Sequence, residues 1–213
     1  MPPSRELALD LYRRMAPKYD RRAARWPFAR LRGRAIDLLQ LKPGDAVLDV
    51  GCGTGLAFPL LEQAIGPQGR IIGIDQSPEM LARARERVET NGWKNITLIQ
   101  SRIEEAAIPG QADAALFAFS HDISRSPEAV ENVVQHLKPG SNVAVVGVTW
   151  GPWWALPFNL IQWLTLRRGA TTYEGLGRPW SNLEKLIPGL QVTKPVVRLH
   201  YGSYYFAWGA RPS

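Results

Sequence analysis

Two acidic residues close two apolar runs in this chain. Asp49 stands in "VLDVGCGTG", and Asp75 ends "RIIGID". Three glycines follow Asp49 at alternate positions, Gly51, Gly53 and Gly55. Glycine permits a tight turn in which bare backbone can touch a ligand. A dinucleotide loop would read G-x-G-x-x-G and aim a helix N-terminus at a diphosphate. Here the pattern is G-x-G-x-G, and a carboxylate beside it would repel a diphosphate and attract an ammonium group. An acid at the end of a second strand accepts hydrogen bonds from ribose hydroxyls. The pair therefore suits a ligand with a cationic amino-acid end and a ribose. A second pair, His121-Asp122 in "FAFSHDIS", offers a base that could take a proton from a hydroxyl, an amine or an activated carbon.

These residues need elements to hold them, and the chain supplies strands and helices in alternation from about Lys42. "AVLDV", "GRIIGID", "NITLIQ", "ADAALFAFS" and "SNVAVVGVTW" read as buried strands. "LAFPLLEQAIG" reads as a helix with Pro59 in its first turn and Gly66 after its end. "SPEMLARARERVETNG" carries Ser77 as N-cap, Pro78 at the first helical position and Gly92 past the last. "SPEAVENVVQHLKPG" repeats the Ser-Pro start and is expected to run to Pro139-Gly140. Such alternation predicts an α/β fold with a doubly wound, Rossmann-like, mostly parallel sheet. Ligands sit at the carboxyl ends of such strands, where Asp49 and the glycines fall.

Outside the core, two N-terminal helices are expected, "SRELALDLYRRMAPKY" and "FARLRGRAIDLLQL". An apolar insertion follows strand five, "GPWWALPFNLIQWLTLRR". A short helix "SNLEKLIPG" comes next, then an antiparallel hairpin from "QVTKPVVRLH" and "SYYFAWGAR". The expected division of this single domain is a helical cap at 1–41, a cofactor-binding core at 42–150, a substrate-side insertion at 151–180, and a C-terminal helix and hairpin at 181–213.

S-adenosylmethionine has both an ammonium and a ribose. "VLDVGCGTG", "IIGIDQSPEMLARAR", "DAALFAFS" and "LKPGSNVAVVG" resemble the successive motifs of class I S-adenosylmethionine-dependent methyltransferases, over about Lys42 to Val148. "LYRRMAPKYD" is similar to the start of the ubiquinone/menaquinone-type branch. The resemblance implies that Asp49, Gly51, Gly53 and Gly55 hold the methionine end, and that Asp75 holds the ribose. It sets Gln76 and Met80 beside the adenosine, and Phe119 and Ser120 beside the methionine. Tyr19 is its candidate for a tyrosine closing over the cofactor, with Tyr12 second. Relatives often have Gly-Asp-Ala after strand three. This chain has Arg102 where the acid is expected, and a guanidinium cannot accept a hydrogen bond from adenine. Adenine contact then falls to the backbone around Arg102 and Ile103. His121 and Asp122 follow strand four, the position that faces the transferred methyl in this fold. Either they serve as catalytic base and partner, or His121 lines the pocket and Asp122 caps the next turn. Alignment of the attacking atom supplies most of the rate in methyl transfer.

Bulk properties narrow the partners. The chain has 213 residues, 45% hydrophobic and 21% charged, as an ordinary globular domain has. Its one cysteine, Cys52, allows no internal disulfide and reads as a space-filler in the loop. The N-terminus lacks the apolar core and cleavage site of a signal peptide, and no run of about 18 apolar residues is present. These features point to the cytoplasm, and no metal-ligand cluster is expected. The net charge of +7 suits an acidic small molecule, an anionic membrane surface or nucleic acid. No interleaved aromatic–basic code favours nucleic acid. Trp150, Trp153, Trp154 and Trp163 crowd one segment, which reads as core packing, as a lid for an apolar substrate, or as a membrane-interface helix. The expected activity is methyl transfer to a small apolar or membrane-associated acceptor: a quinone precursor, a phospholipid head group or a natural product. The rivals are an RNA or protein methyltransferase and a binding protein without turnover. The sequence carries no "NPPY"-like motif or RNA-binding module, and no sign of oligomeric state.

Overall fold

The computed structural model describes Asp20 and residues 28–151, 159–160, 163, 176–193, 196–198 and 202–212. Helix α1 (Phe28–Leu38) leads into β1 (Ala46–Val50), α2 (Phe58–Ile65), β2 (Arg70–Asp75), α3 (Pro78–Asn91) and β3 (Ile96–Gln100). A 3-10 turn (Ile103–Glu105) precedes β4 (Ala112–Ala118), α4 (His121–Ser124), α5 (Pro127–Gln135) and β5 (Leu137–Thr149). The chain then gives α6 (Ser181–Leu186), β6 (Gln191–Val192), β7 (Val196–Arg198) and β8 (Gly202–Ala210).

The helix ends follow the chemistry of the residues at them. Ser77 Oγ accepts the Met80 amide at 3.3 Å, Pro78 opens the first turn, and Gly92 ends the helix in the left-handed region. Ser126 caps α5 likewise through the Ala129 amide at 3.2 Å. This helix stops at Gln135, short of the expected Pro139-Gly140. "LKPG" is already strand, with Leu137 paired to Ala112 across a register shift in β4. Lys138 Nζ, 2.6 Å from Asp113 Oδ1, and Ser141 Oγ, donating to the Ala112 carbonyl, fasten it there.

The sheet order is β3-β2-β1-β4-β5-β8-β6, with β7 also on β8. Strands β1 to β5 are parallel and β8 runs antiparallel to β5. The expected hairpin is present, but its first arm is two short strands, β6 and β7. Pro195 stands between them in the sequence and has no N–H for a ladder. Alternate residues of each strand serve opposite faces. Leu48, Val50, Val145 and Tyr205 join the core with Val130 and Val133 of α5 and Leu183 of α6. Val47, Ala144 and Phe206 join the core beneath α1, α2 and α3. Asp49 shares the parity of Val47, so its carboxylate lies on the α1 side.

Candidate functional site

The strand order reverses at β1 and β4, where successive strands leave in opposite directions, and a crevice opens there at the carboxyl edge. The glycine loop forms its floor. The amides of Gly51 and Cys52 both donate to the Ile74 carbonyl, at 2.9 and 3.0 Å, which pins the loop to β2. All three glycines have positive φ, but for different reasons. A Cβ on Gly51 would strike Ile123 at 2.7 Å, and one on Gly55 would strike the Phe58 ring at 2.4 Å. These two are glycines for internal packing. Only Gly53 faces space with nothing within 4 Å of an added Cβ. Cys52 packs toward Gly73 of β2, and burial pushes its thiol pKa up, as befits a space-filler.

Asp49 is 2% exposed, and its Oδ2 has no hydrogen-bond partner. Burial pushes its pKa up to about 7, against the lowering influence of the Arg32 guanidinium, and Asp75 adds to the rise. Asp75 Oδ2 accepts the Gly53 amide at 2.9 Å, and Oδ1 accepts the Ser77 amide at 2.8 Å. Burial raises its pKa while these amides oppose the rise. The second acid thus ties the glycine loop to the start of α3, and its remaining lone pairs are what it has for a ligand.

Gln76 is half-buried beside it, and Met80 is buried in the first turn of α3. Arg102 turns to its own neighbours, 3.4 Å from both Glu104 and Glu105. Ile103 buries its side chain in the core, and its carbonyl accepts from Asn132 Nδ2 at 2.6 Å. The backbone acceptor on this turn is therefore engaged. Tyr12 and Tyr19 lie outside the described residues.

Across the crevice, Phe119 holds φ +60, a sparsely populated conformation for an aromatic residue, and its amide donates to the Val146 carbonyl at 2.8 Å. Its ring meets Phe28 of α1 edge to face, 5.4 Å between centroids. Ser120 Oγ is buried without a partner. His121 Nε2 is buried, 2.9 Å from Asp122 Oδ1, in contact but not aligned as a hydrogen bond. Ser124 Oγ donates to the His121 carbonyl at 3.0 Å and fixes this single turn. Ser124 also bears on the buried Tyr205 hydroxyl, whose pKa burial raises. His136 is structural, its Nδ1 2.7 Å from the Asn132 carbonyl. Arg178 is an exposed surface partner of Glu184 at 2.6 Å.

Sequence reasoning missed two groups. Arg32 of α1 is 6% exposed and lines the crevice with Asp49 and Gly53. The signal was present as one arginine on the apolar face with Ala35 and Ile36, but nearby Arg30 and Arg34 are exposed and mask it. Asp20 is the second: it accepts from Thr54 Oγ1 and pairs with Arg87.

The methyltransferase-domain family matches residues 47–140, under half of the chain. Those residues are similar to a methyltransferase domain. Its relatives include an arsenite methyltransferase of Halobacterium salinarum, 31% identical over 51% of this chain and 28% of that one. A demethylmenaquinone methyltransferase of Listeria welshimeri is 28% identical over 70% of this chain and 66% of that one. The chain thus spans about a quarter to two thirds of these relatives' lengths. In fold, the domain matches a SAM-dependent methyltransferase from Aquifex aeolicus with TM-score 0.60 and 24% identity, over 84% of this chain and 89% of that one. It also matches a Haloferax volcanii chain solved with the Trm112 methyltransferase activator, with TM-score 0.68 and 16% identity, over 97% and 98%. The cofactor of such a domain is S-adenosylmethionine. The glycine loop fits it: the buried Asp49 Oδ2 has no hydrogen-bond partner, and Gly53 presents bare backbone to open space.

Proposed function

We propose that this chain transfers the methyl group of S-adenosylmethionine, by in-line displacement, to a small apolar or membrane-associated acceptor. The observation that carries the reading is the buried, unpartnered Asp49 oxygen beside the open Gly53 backbone. In this reading Asp49 holds the ammonium, and the Gly51–Gly55 loop lies along the methionine end. Asp75 accepts from the ribose with the lone pairs that Gly53 and Ser77 leave. Gln76 and Met80 flank the adenosine, and the amide side of the Arg102-Ile103 turn faces the adenine. When bound, S-adenosylmethionine supplies a methyl carbon made electrophilic by the sulfonium. Phe119 and Ser120 border that carbon, and the edge-to-face Phe28 ring helps keep water away. His121 takes the acceptor's proton, and Asp122 Oδ1, 2.9 Å from its Nε2, stabilises the imidazolium that results.

The acceptor class draws support from two observations. A demethylmenaquinone methyltransferase is among the relatives that span most of this chain. Leu160 and Trp163, in the insertion after β5, are 58% and 41% exposed, apolar surface where a quinone precursor or lipid could lie. No helix among the described residues is long and apolar enough to cross a membrane, so a membrane acceptor would be met from the surface. The division into cap, core, insertion and C-terminal hairpin belongs to the same proposal, with the insertion on the acceptor side.

The test is incubation with methyl-labelled S-adenosylmethionine and separated quinone, lipid, RNA and protein fractions. Label entering a quinone or lipid fraction supports the proposal. Label in RNA or protein alone supports the rival enzyme class, and tight binding with no transfer supports a binding protein.

A further inference from the structure

We propose that Asn182 of α6 is a positioning residue for methyl transfer: its side-chain amide grips the chain just past the His121 turn and fixes where the His121 ring stands at the carboxyl edge. The inference rests on the proton-accepting role given to His121 above, and Asn182 lies outside the family's matched span.

The turn that carries His121 and Asp122, α4, is four residues long. A helix that short has no stability of its own, so its place is set by what holds it. The Ile123 and Ser124 amides donate to the Ser120 carbonyl, and Ser124 Oγ donates to the His121 carbonyl at 3.0 Å. These local bonds shape the turn but do not tie it to the rest of the fold. Contacts from distant elements do that. On the glycine-loop side, Ile123 packs so closely on Gly51 that an added Cβ would stand 2.7 Å from it. From α6, Asn182 Nδ2 donates to the Arg125 carbonyl at 2.7 Å, across 57 positions of sequence. A carbonyl at a helix end lacks an intrahelical donor, and a side-chain amide can supply one. Asn182 is itself well seated. Leu183 beside it is buried in the core with α5, and Trp180 packs on the Tyr205 ring at 4.8 Å between centroids. Tyr205 in turn lies across Gly147 of β5, where an added Cβ would meet its ring at 2.9 Å. The chain leading into α6 is fastened to the end of β5, where Thr149 Oγ1 donates to the Leu176 carbonyl at 2.7 Å. Asn182 therefore joins a braced support to a turn that cannot brace itself.

The test follows the ring signals of the three histidines by NMR in the complex with S-adenosylhomocysteine, with His121→Ala assigning the His121 signal. Asn182→Ala should move the His121 signal. It should leave the signals of His136 and His200, and the affinity for S-adenosylhomocysteine, as in wild type. Asn182→Asp keeps the size and removes the donor, so it should do the same, and it gives the answer if Asn182→Ala folds poorly. Transfer is then measured with methyl-labelled S-adenosylmethionine and the acceptor fraction that takes label. Asn182→Ala should lower its rate about tenfold, the size of one hydrogen bond, and cost nothing further in a His121→Ala background. An unmoved His121 signal, or an equal loss of rate in both backgrounds, would overturn the positioning role and leave His121 as the base. A His121→Ala protein that transfers at the wild-type rate would instead remove the proton-accepting role of His121, and the positioning role with it.

Discussion

Asp20 Oδ2 lies 2.6 Å from Arg87 Nη2, and the same carboxylate accepts the Thr54 hydroxyl through Oδ1, also at 2.6 Å. Arg87 Nε closes the triangle by donating to the Thr54 carbonyl at 2.9 Å. One carboxylate from the N-terminal segment thereby bolts the glycine loop to α3. The pair is partly exposed, so its worth is about 1 kcal/mol rather than that of a buried ion pair. Asp20→Ala should lower the melting temperature by about 2–4 °C. Because Thr54 sits beside Gly53, it should weaken S-adenosylhomocysteine binding too. Scanning calorimetry and ligand titration check both, and unchanged cofactor affinity would reduce the triangle to a stability device.

Asp49 predicts a proton released on binding. In the ligand-free protein its pKa is raised from 3.8 to about 7 by burial, against Arg32 and with Asp75. Between these values the folded state holds a proton that the unfolded state has lost. Its contribution to stability is therefore full below about pH 4 and fades as pH rises through about 7. A cationic ligand draws the proton off. Affinity for S-adenosylhomocysteine should rise about tenfold per pH unit up to about 7 and then level. At pH 6 the binding heat should change with the buffer's ionisation heat. Identical heats in two such buffers would mean Asp49 is already ionised.

The glycines should separate by substitution. Gly53→Val should fold with a left-handed strain of about 1–3 kcal/mol and lose cofactor binding, since its side chain projects into the crevice. Gly55→Ala should fail differently, because its Cβ meets Phe58 at 2.4 Å and must displace a buried ring. Melting curves with and without S-adenosylhomocysteine distinguish the two. A Gly53→Val protein that is still stabilised by the ligand would move the site elsewhere.

Asp75→Ala should weaken S-adenosylmethionine and S-adenosylhomocysteine by the same factor, because both carry the ribose. It should also lower stability, since the Gly53 and Ser77 amides lose their acceptor, each worth about 1–3 kcal/mol when buried. Calorimetry on both ligands decides: affinities that part by more than tenfold would place Asp75 near the sulfur instead.

His121→Ala should lower kcat about 10²–10⁴-fold and leave cofactor affinity unchanged if the ring is the base. If it only lines the pocket, KM should rise alone. Steady-state kinetics on an accepted substrate tell these apart.

Local chemistry was legible without the fold. Ser77, Pro78 and Gly92 mark α3 because capping and turn conformations act within a few residues. The β/α alternation and the acids at the ends of β1 and β2 follow from apolar runs that must be buried and then stop. The boundary of α5 misled, since "HLKPG" continues a helical pattern, yet pairing with β4 through Lys138–Asp113 claims it for a strand. Tertiary packing alone decided which arginine matters. Arg30, Arg32 and Arg34 are alike in the sequence, and only the face of α1 laid on the sheet buries Arg32 beside Asp49. It also divided the three glycines into two that make room for Ile123 and Phe58 and one that faces the crevice. It brought Asp20 to Thr54 and Arg87 across the chain. Those contacts join residues tens of positions apart, and their partners are chosen by which surfaces the sheet and helices bury together.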